Sequence, residues 1–189
     1  CRMTDTKTKI LDVAEELIQS VGVNAMSYKH ISDAVGIRKA SVHHHFPKKE
    51  DLVDEMLSRC QVSYGDHYTS IVEGENSAPE KLRNLAGVFE DGLVCKRLCV
   101  VGSMSTDRNT LQVTSCRILE STIKSTVDIF AKVFRQGKEE KSLRFSGTDA
   151  DAAYAFLSFL IGTQIVAGAH GGQELFKRAT EVAITALTS

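Results

Sequence analysis

Three groups of side chains in this 189-residue chain have types and spacings that could do chemistry. The first is the run His43-His44-His45, which invites a metal reading. Successive residues on a helix point about 100° apart, so three adjacent imidazoles cannot converge on one ion. A zinc site would need ligands from elsewhere, such as His30 or Cys60, so no metal is expected. The sequence predicts instead that His45 packs while His43 and His44 face outward.

The second group is Cys95-Lys96-Arg97-Leu98-Cys99. A thiol beside two cations can ionise more readily and react with oxidants or electrophiles. A disulfide between residues four apart on one helix face is strained, and small cysteines are common in helical cores. A structural role is the first reading, with a thiol-based sensor using Cys95 and Cys99 as the alternative. Cys116 is expected in the core. The third group is Arg38, Lys39, Ser41, His43 and His44, directly after Gly36. Cations and hydroxyls near the start of a short helix suit phosphates and guanine edges. No nucleophile–base signature, phosphate loop or metal-ligand pair at helical spacing is present, so neither an enzyme nor a cofactor is expected.

The elements that would carry these groups read as helices throughout. Ile10, Val13, Ala14, Leu17, Ile18 and Val21 recur at three- and four-residue steps, an amphipathic helix that Asp5 can cap and Gly22 stops. Ser27 sits where an N-cap belongs, before a short helix running into Gly36. A third helix begins at about Arg38 and ends before Pro47, because a proline pushes its predecessor out of helical geometry. Pro47 suits the first turn of a fourth helix, over about 48–72, read as roughly five turns. Its stripe is Leu52, Val53, Met56, Leu57, Cys60, Tyr64, Tyr68 and Ile71. Gly74 to Pro79 is the clearest break, and further helices are expected at about 80–95, 98–106, 111–138, 149–169 and 172–188. The fold class is all-α.

Ala152 to Ala169 is nearly apolar but is barely long enough for a bilayer and carries Ser158, Thr163 and Gln164. Burial between helices is the expectation, with a second subunit as the natural cover for any face its own core does not use. No membrane partner is expected.

The two short helices around Gly36 have the spacing of a helix-turn-helix, in which the second helix enters the major groove of DNA. Ala34 and Val35 should face the first helix of the pair's bundle, and Ile37 and Val42 should fill its small core. That leaves Arg38, Lys39, Ser41, His43 and His44 outside. Charge agrees in sign: residues 2–49 hold eight basic side chains against five acidic ones, whereas 50–189 hold 15 against 19. Protonation of His43 or His44 should then tighten binding to phosphate. The composition, 42% hydrophobic and 25% charged, is that of a globular protein. Five cysteines at 1, 60, 95, 99 and 116 form no secreted disulfide framework, and Cys1-Arg2-Met3-Thr4-Asp5 lacks an apolar leader. A reduced, cytoplasmic protein is expected.

The stretch Ile31-Ser32-Asp33-Ala34-Val35-Gly36-Ile37-Arg38-Lys39-Ala40-Ser41-Val42-His43-His44-His45-Phe46-Pro47-Lys48-Lys49-Glu50-Asp51-Leu52 resembles the TetR family of bacterial transcription regulators. The likeness covers about residues 6–57. It implies a three-helix DNA-binding head, taken as residues 1–48, and a larger helical ligand-binding and dimerisation domain, 49–189. It implies a homodimer whose last two helices form a four-helix bundle, and a pocket inside residues 58–189. By the same resemblance Ser27 and Tyr28 touch phosphate, Arg38, Lys39 and Ser41 meet bases and backbone, Lys49 holds a phosphate and Phe46 packs the head. His43 departs from the family's usual tyrosine. With Lys48, His43 and His44, these make up the candidate DNA contacts.

Candidate pocket residues are aromatic or polar side chains on inner faces: Tyr64, Tyr68, Phe89, Met104, Phe156 and Gln164. Few buried charges are evident there, so the small-molecule effector is expected to be apolar or aromatic. The function expected is a repressor released from a palindromic operator by that effector. A structural DNA-binding dimer without an inducer is the rival.

Overall fold

Apolar side chains at helical spacing, punctuated by Gly22, Gly36, Pro47 and the 74–79 break, leave the chain only one way to bury its surface, as helix on helix. The computed structural model describes residues 5–188, and among them there are nine α-helices, one 3-10 turn and no strand. The helices are α1 (Thr6–Ala25), α2 (Tyr28–Val35), α3 (Lys39–His45), α4 (Lys49–Glu73), α5 (Ala78–Val94), α6 (Val100–Thr106), α7 (Val113–Glu140), α8 (Asp149–Ala169) and α9 (Gly172–Thr188), with the 3-10 turn at Arg108–Thr110. Cys1 and Arg2, and with them most of the segment read as lacking a leader, lie outside the described residues.

Contacts divide the chain into two compact units, Cys1–Val62 with Val100–Thr122, and Ser63–Cys99 with Ile123–Ser189. A cut between residues 48 and 49 does not describe this division. Helices α4 and α7 each begin in the first unit and end in the second, and α6 belongs with the head.

The first unit is built on Ile10, Ala14, Ile18, Ile31, Val42, Leu52, Met56 and Leu57, all fully buried. Helix α6 lies along α1, adding buried Met104 and a hydrogen bond from Ser103 Oγ to the Ile18 carbonyl. Gly22, at φ 84° and ψ 165°, breaks α1, as its left-handed backbone suits only glycine. The chain then makes one more short helical stretch to Ala25. Asp5 precedes α1 but contributes no side-chain cap. Pro47 lies two residues before α4 rather than in its first turn, and α4 has the length expected, but its 25 residues make about seven turns, not five.

The second unit has an aromatic core of Tyr68, Phe89, Phe130, Phe134, Phe156 and Phe176. Phe130 is central, with its ring 5.2 Å from Tyr68 and 6.4 Å from Phe156. Helix α8 begins with a capping box, in which Thr148 Oγ1 accepts from the Asp151 N–H and Asp151 accepts from the Thr148 N–H. It is long and apolar enough to cross a membrane by length and composition, yet it buries a stripe comprising Ala153, Phe156, Leu157, Leu160, Gln164 and Ala167. The opposite side is one its own core does not use: Tyr154, Ile165 and Val166 on α8, and Val182 on α9, are exposed. Its own unit uses only one face of α8.

Candidate nucleic-acid interface

Helix α2 starts at Ser27, whose Oγ accepts from the His30 N–H at 3.3 Å, the capping that its position predicts. It ends at Gly36 in the left-handed region (φ 76°, ψ 34°), where the Gly36 and Ile37 N–H groups both donate to the Ser32 carbonyl at 3.0 Å. That closure turns the chain sharply into α3. Val42 is buried beneath α3, and Ile31 and Ser32 are the buried residues of α2's inner face. Ala34 is exposed, contrary to the inward role expected of it, and Val35 and Ile37 are half-buried.

The outer side of α3 carries Arg38, Lys39, His43 and His44, all exposed, with Ser41 half-buried among them and exposed Lys48 just beyond. Among the described residues, Arg38, Lys39 and Lys48 make no ion pair. Several other cations of this unit are paired: Lys7 with Glu55 at 2.7 Å, Arg59 with Asp12 at 2.7 Å and Arg108 with Glu120 at 3.1 Å. The α3 cations therefore have their charge available for an external anion. His45 is half-buried, its ring 5.6 Å from that of His44. His43 sets its ring edge-on to Tyr28 at 4.6 Å. Among the described residues no three His, Cys, Asp or Glu side chains gather as a metal site would require.

Two residues expected at phosphate do something else with their side chains. Tyr28 is buried, and its hydroxyl donates to the Phe46 carbonyl at 2.7 Å, tying α2 to the end of α3. Burial, with the Asp51 and Glu50 carboxylates adding, pushes that hydroxyl up to about 12. Lys49 sends its ammonium to the carbonyls of Val23 and Met26, at 2.6 and 2.7 Å, where it satisfies acceptors at the end of α1. Burial lowers its pKa, opposed by the Glu50 and Asp107 carboxylates. A cation at the start of a helix looks solvent-facing in a sequence, whereas here the bare carbonyls of an earlier helix claim it. Ser27 keeps its hydroxyl hydrogen free for an acceptor, because the cap uses only an oxygen lone pair.

Sequence reasoning missed Asp107 altogether. Its Oδ2 accepts from the Val23 N–H at 2.7 Å and the Asn24 N–H at 3.3 Å, and its Oδ1 from Asn24 Nδ2 at 3.0 Å. The signal available was Gly22: a helix restarted after a break has bare N–H groups that need an acceptor. Nothing local says where the acceptor comes from.

The six candidate pocket residues are not brought together. Met104 packs in the first unit. Tyr64, Tyr68 and Phe89 form a packed aromatic row, with Tyr68 6.3 Å from Tyr64 and stacked on Phe89 at 6.4 Å. Phe156 joins them through Phe130. Gln164 is a buried tie: its Nε2 donates to the Phe89 carbonyl at 2.6 Å and its Oε1 accepts from the Cys99 N–H at 2.7 Å. Of the six, Phe156 lines a cavity of about 470 Å³ between α7, α8 and α9, whose other walls include Phe134, Phe145, Phe159 and Leu187.

Cys95 and Cys99 lie on a turn rather than on one helix face. The Cys95 and Arg97 N–H groups both donate to the Gly92 carbonyl, and Lys96 is left-handed at φ 56°. Cys95 is exposed and Cys99 half-buried; Cys116, expected in the core, is also half-buried.

A three-helix head with a bare basic third helix, followed by a long helical remainder, defines a helix-turn-helix DNA-binding regulator. The profile described as "Bacterial regulatory proteins, tetR family" matches residues 10–56. The HTH-type transcriptional repressor KstR2 of Mycobacterium tuberculosis is 24% identical over 156 residues, covering 82% of this chain and 78% of its own. A TetR-family transcriptional regulator from Agrobacterium tumefaciens superposes with a TM-score of 0.91 at 29% identity, over 97% of both chains. AibR, solved in complex with isovaleryl coenzyme A and operator DNA, has the same fold, with a TM-score of 0.75 at 19% identity over 97% of this chain and 98% of its own. Residues 10–56 match the TetR-family DNA-binding domain, and over most of its length the chain is similar to TetR-family transcriptional regulators, which are regulators rather than enzymes.

Proposed function

We propose that the protein is a cytoplasmic, homodimeric transcriptional repressor that holds a palindromic operator and releases it when a small molecule binds. The observation that carries the reading is the outer face of α3, where Arg38, Lys39, Ser41, His43 and His44 stand together with the cations unpaired. Two such helices on a symmetric dimer would enter successive major grooves about 34–36 Å apart. The Ser27 hydroxyl, the backbone N–H groups of Tyr28 and Lys49 and the Lys48 ammonium would meet phosphates beside each groove. Repression is supported by KstR2, which is a repressor.

Dimerisation is supported by Tyr154, Ile165 and Val166 on α8 and Val182 on α9, exposed apolar side chains of the kind that a second copy covers. AibR, caught with both an acyl thioester and operator DNA, supports an effector. The aromatic walls of the 470 Å³ cavity favour an apolar or aromatic one. The effector releases DNA only to the extent that it binds the DNA-free conformation more tightly.

Selection of bound duplexes from a random library tests the reading. One enriched palindrome, with half-site centres about 10 base pairs apart or a multiple of that, is expected. Absence of any enriched motif contradicts it.

A further inference from the structure

We propose that Asp107 is a positioning residue for DNA binding: by capping the restarted end of α1 it sets the angle at which the chain enters α2 and so aims α3. The inference rests on the DNA-reading role of α3 proposed above.

The link from Gly22 to Met26 leads directly into Ser27 and the helix-turn-helix. Its backbone is gripped on both sides by side chains from distant parts of the first unit. On the N–H side, the Asp107 carboxylate takes the Val23 and Asn24 amides and the Asn24 side chain, across 83 and 84 residues of sequence. On the C=O side, Lys49 takes the Val23 and Met26 carbonyls. Thr110 Oγ1 extends the grip, donating to Asn24 Oδ1 at 2.9 Å.

Gly22 is required twice over. Its φ of 84° disfavours any side chain, and a Cβ there would sit 2.9 Å from Asp107 Oδ2. Beside the link lies a cavity of about 160 Å³ lined by Val23, Asn24, Lys49, Thr110 and Ser115. Val23 and Met26 bury their side chains in the head, and the hydrogen bonds add direction to that packing. Asp107 stands on a segment, Val100–Thr122, whose two ends both continue into the second unit.

This role has a consequence opposite in sign to simple electrostatics. Removing a carboxylate from a DNA-binding head should tighten binding if charge alone matters. The positioning role requires it to weaken. The probe is the duplex that the wild-type protein enriches most from a random library, measured by fluorescence anisotropy at several salt concentrations. Asp107→Asn keeps the shape but turns an NH2 toward one of three donors, and is expected to weaken binding about tenfold. The dependence on salt should be unchanged, since Asp107 touches no phosphate. Ser103→Ala removes the α6 bond to Ile18, upstream of the Gly22 break, and should change affinity less than about twofold. Asn24→Ala, an exposed change that removes one bond of the three, should cost about threefold and serves if Asp107→Asn fails to fold.

Unchanged or tighter binding by Asp107→Asn overturns the proposal, as does an equal loss in Ser103→Ala, which would mean that α6 docking in general is being felt. Failure of the wild-type protein to enrich any duplex would overturn the DNA-reading role itself, a separate result.

Discussion

Both units of this chain have apolar cores, but the side chains that complete them differ. In the first, the turns and helix ends are fixed by single polar side chains reaching across the sequence: Tyr28 to the Phe46 carbonyl, Lys49 to Val23 and Met26, Asp107 to Val23 and Asn24. In the second, Tyr68, Phe89, Phe130, Phe134, Phe156 and Phe176 make a continuous aromatic core, and apolar side chains remain outside on α8 and α9. Hydrogen bonds have direction and hold an angle, which suits a head that must present α3 to a groove in one orientation. Apolar packing is non-directional, which suits the roles proposed for this unit, accepting an apolar effector and a second copy of itself.

The contrast can be broken or sharpened by substitution. The largest effect is expected from Phe130→Ala, which should cost about 3–5 kcal/mol in the second unit by leaving a cavity at its centre. Urea unfolding followed by a probe in each unit would show the second unit's transition move; a shift confined to the first would deny that the two cohere separately. Next, Ile165→Glu combined with Val182→Glu places charges on the proposed dimer face, and burying them unpaired should weaken self-association by about 100-fold or more. Light scattering across a concentration series should then report monomers at concentrations where the wild-type protein is expected to be dimeric, and equal self-association would deny that this face is the interface.

A smaller loss, about 1 kcal/mol, is expected from Tyr28→Phe, which leaves the Phe46 carbonyl without its donor. Thermal melting of the first unit measures it. The smallest effect is on alkaline stability. The Tyr28 hydroxyl is raised to about 12 in the folded protein, above the ordinary tyrosine value of about 10. Below the ordinary value both states hold the proton, and its contribution is fully present. As pH rises from there toward about 12, the unfolded chain ionises first and stability falls. Tyr28→Phe should melt with a shallower decline over that window, and parallel wild-type and variant curves would deny the burial of this hydroxyl.

The head was legible in the sequence because its determinants are local. Ser27, Gly36 and Pro47 each act within a few residues of where they stand, and three- and four-residue apolar steps mark each buried face. The all-α class followed for the same reason. What could not be read was set by contacts across long separations. Lys49 was expected at phosphate because nothing nearby shows that the end of α1 leaves two carbonyls within its reach. Gln164, a polar residue in an apolar helix, looked ligand-facing, whereas it closes hydrogen bonds to Phe89 and Cys99. Met104 was grouped with the ligand candidates because sequence order hides that Val100–Thr122 returns to the head. Asp107 went unseen for the same reason.

Whether the outer face of α3 reads base edges is decided by the affinity of the double variant Arg38→Ala with Lys39→Ala for the selected duplex and for a scrambled duplex of equal length. At about 1–3 kcal/mol for each base-reading side chain, the variant should lose about 100-fold on the selected sequence and much less on the scrambled one, so that discrimination between the two collapses. Discrimination equal to that of the wild-type protein would contradict the account.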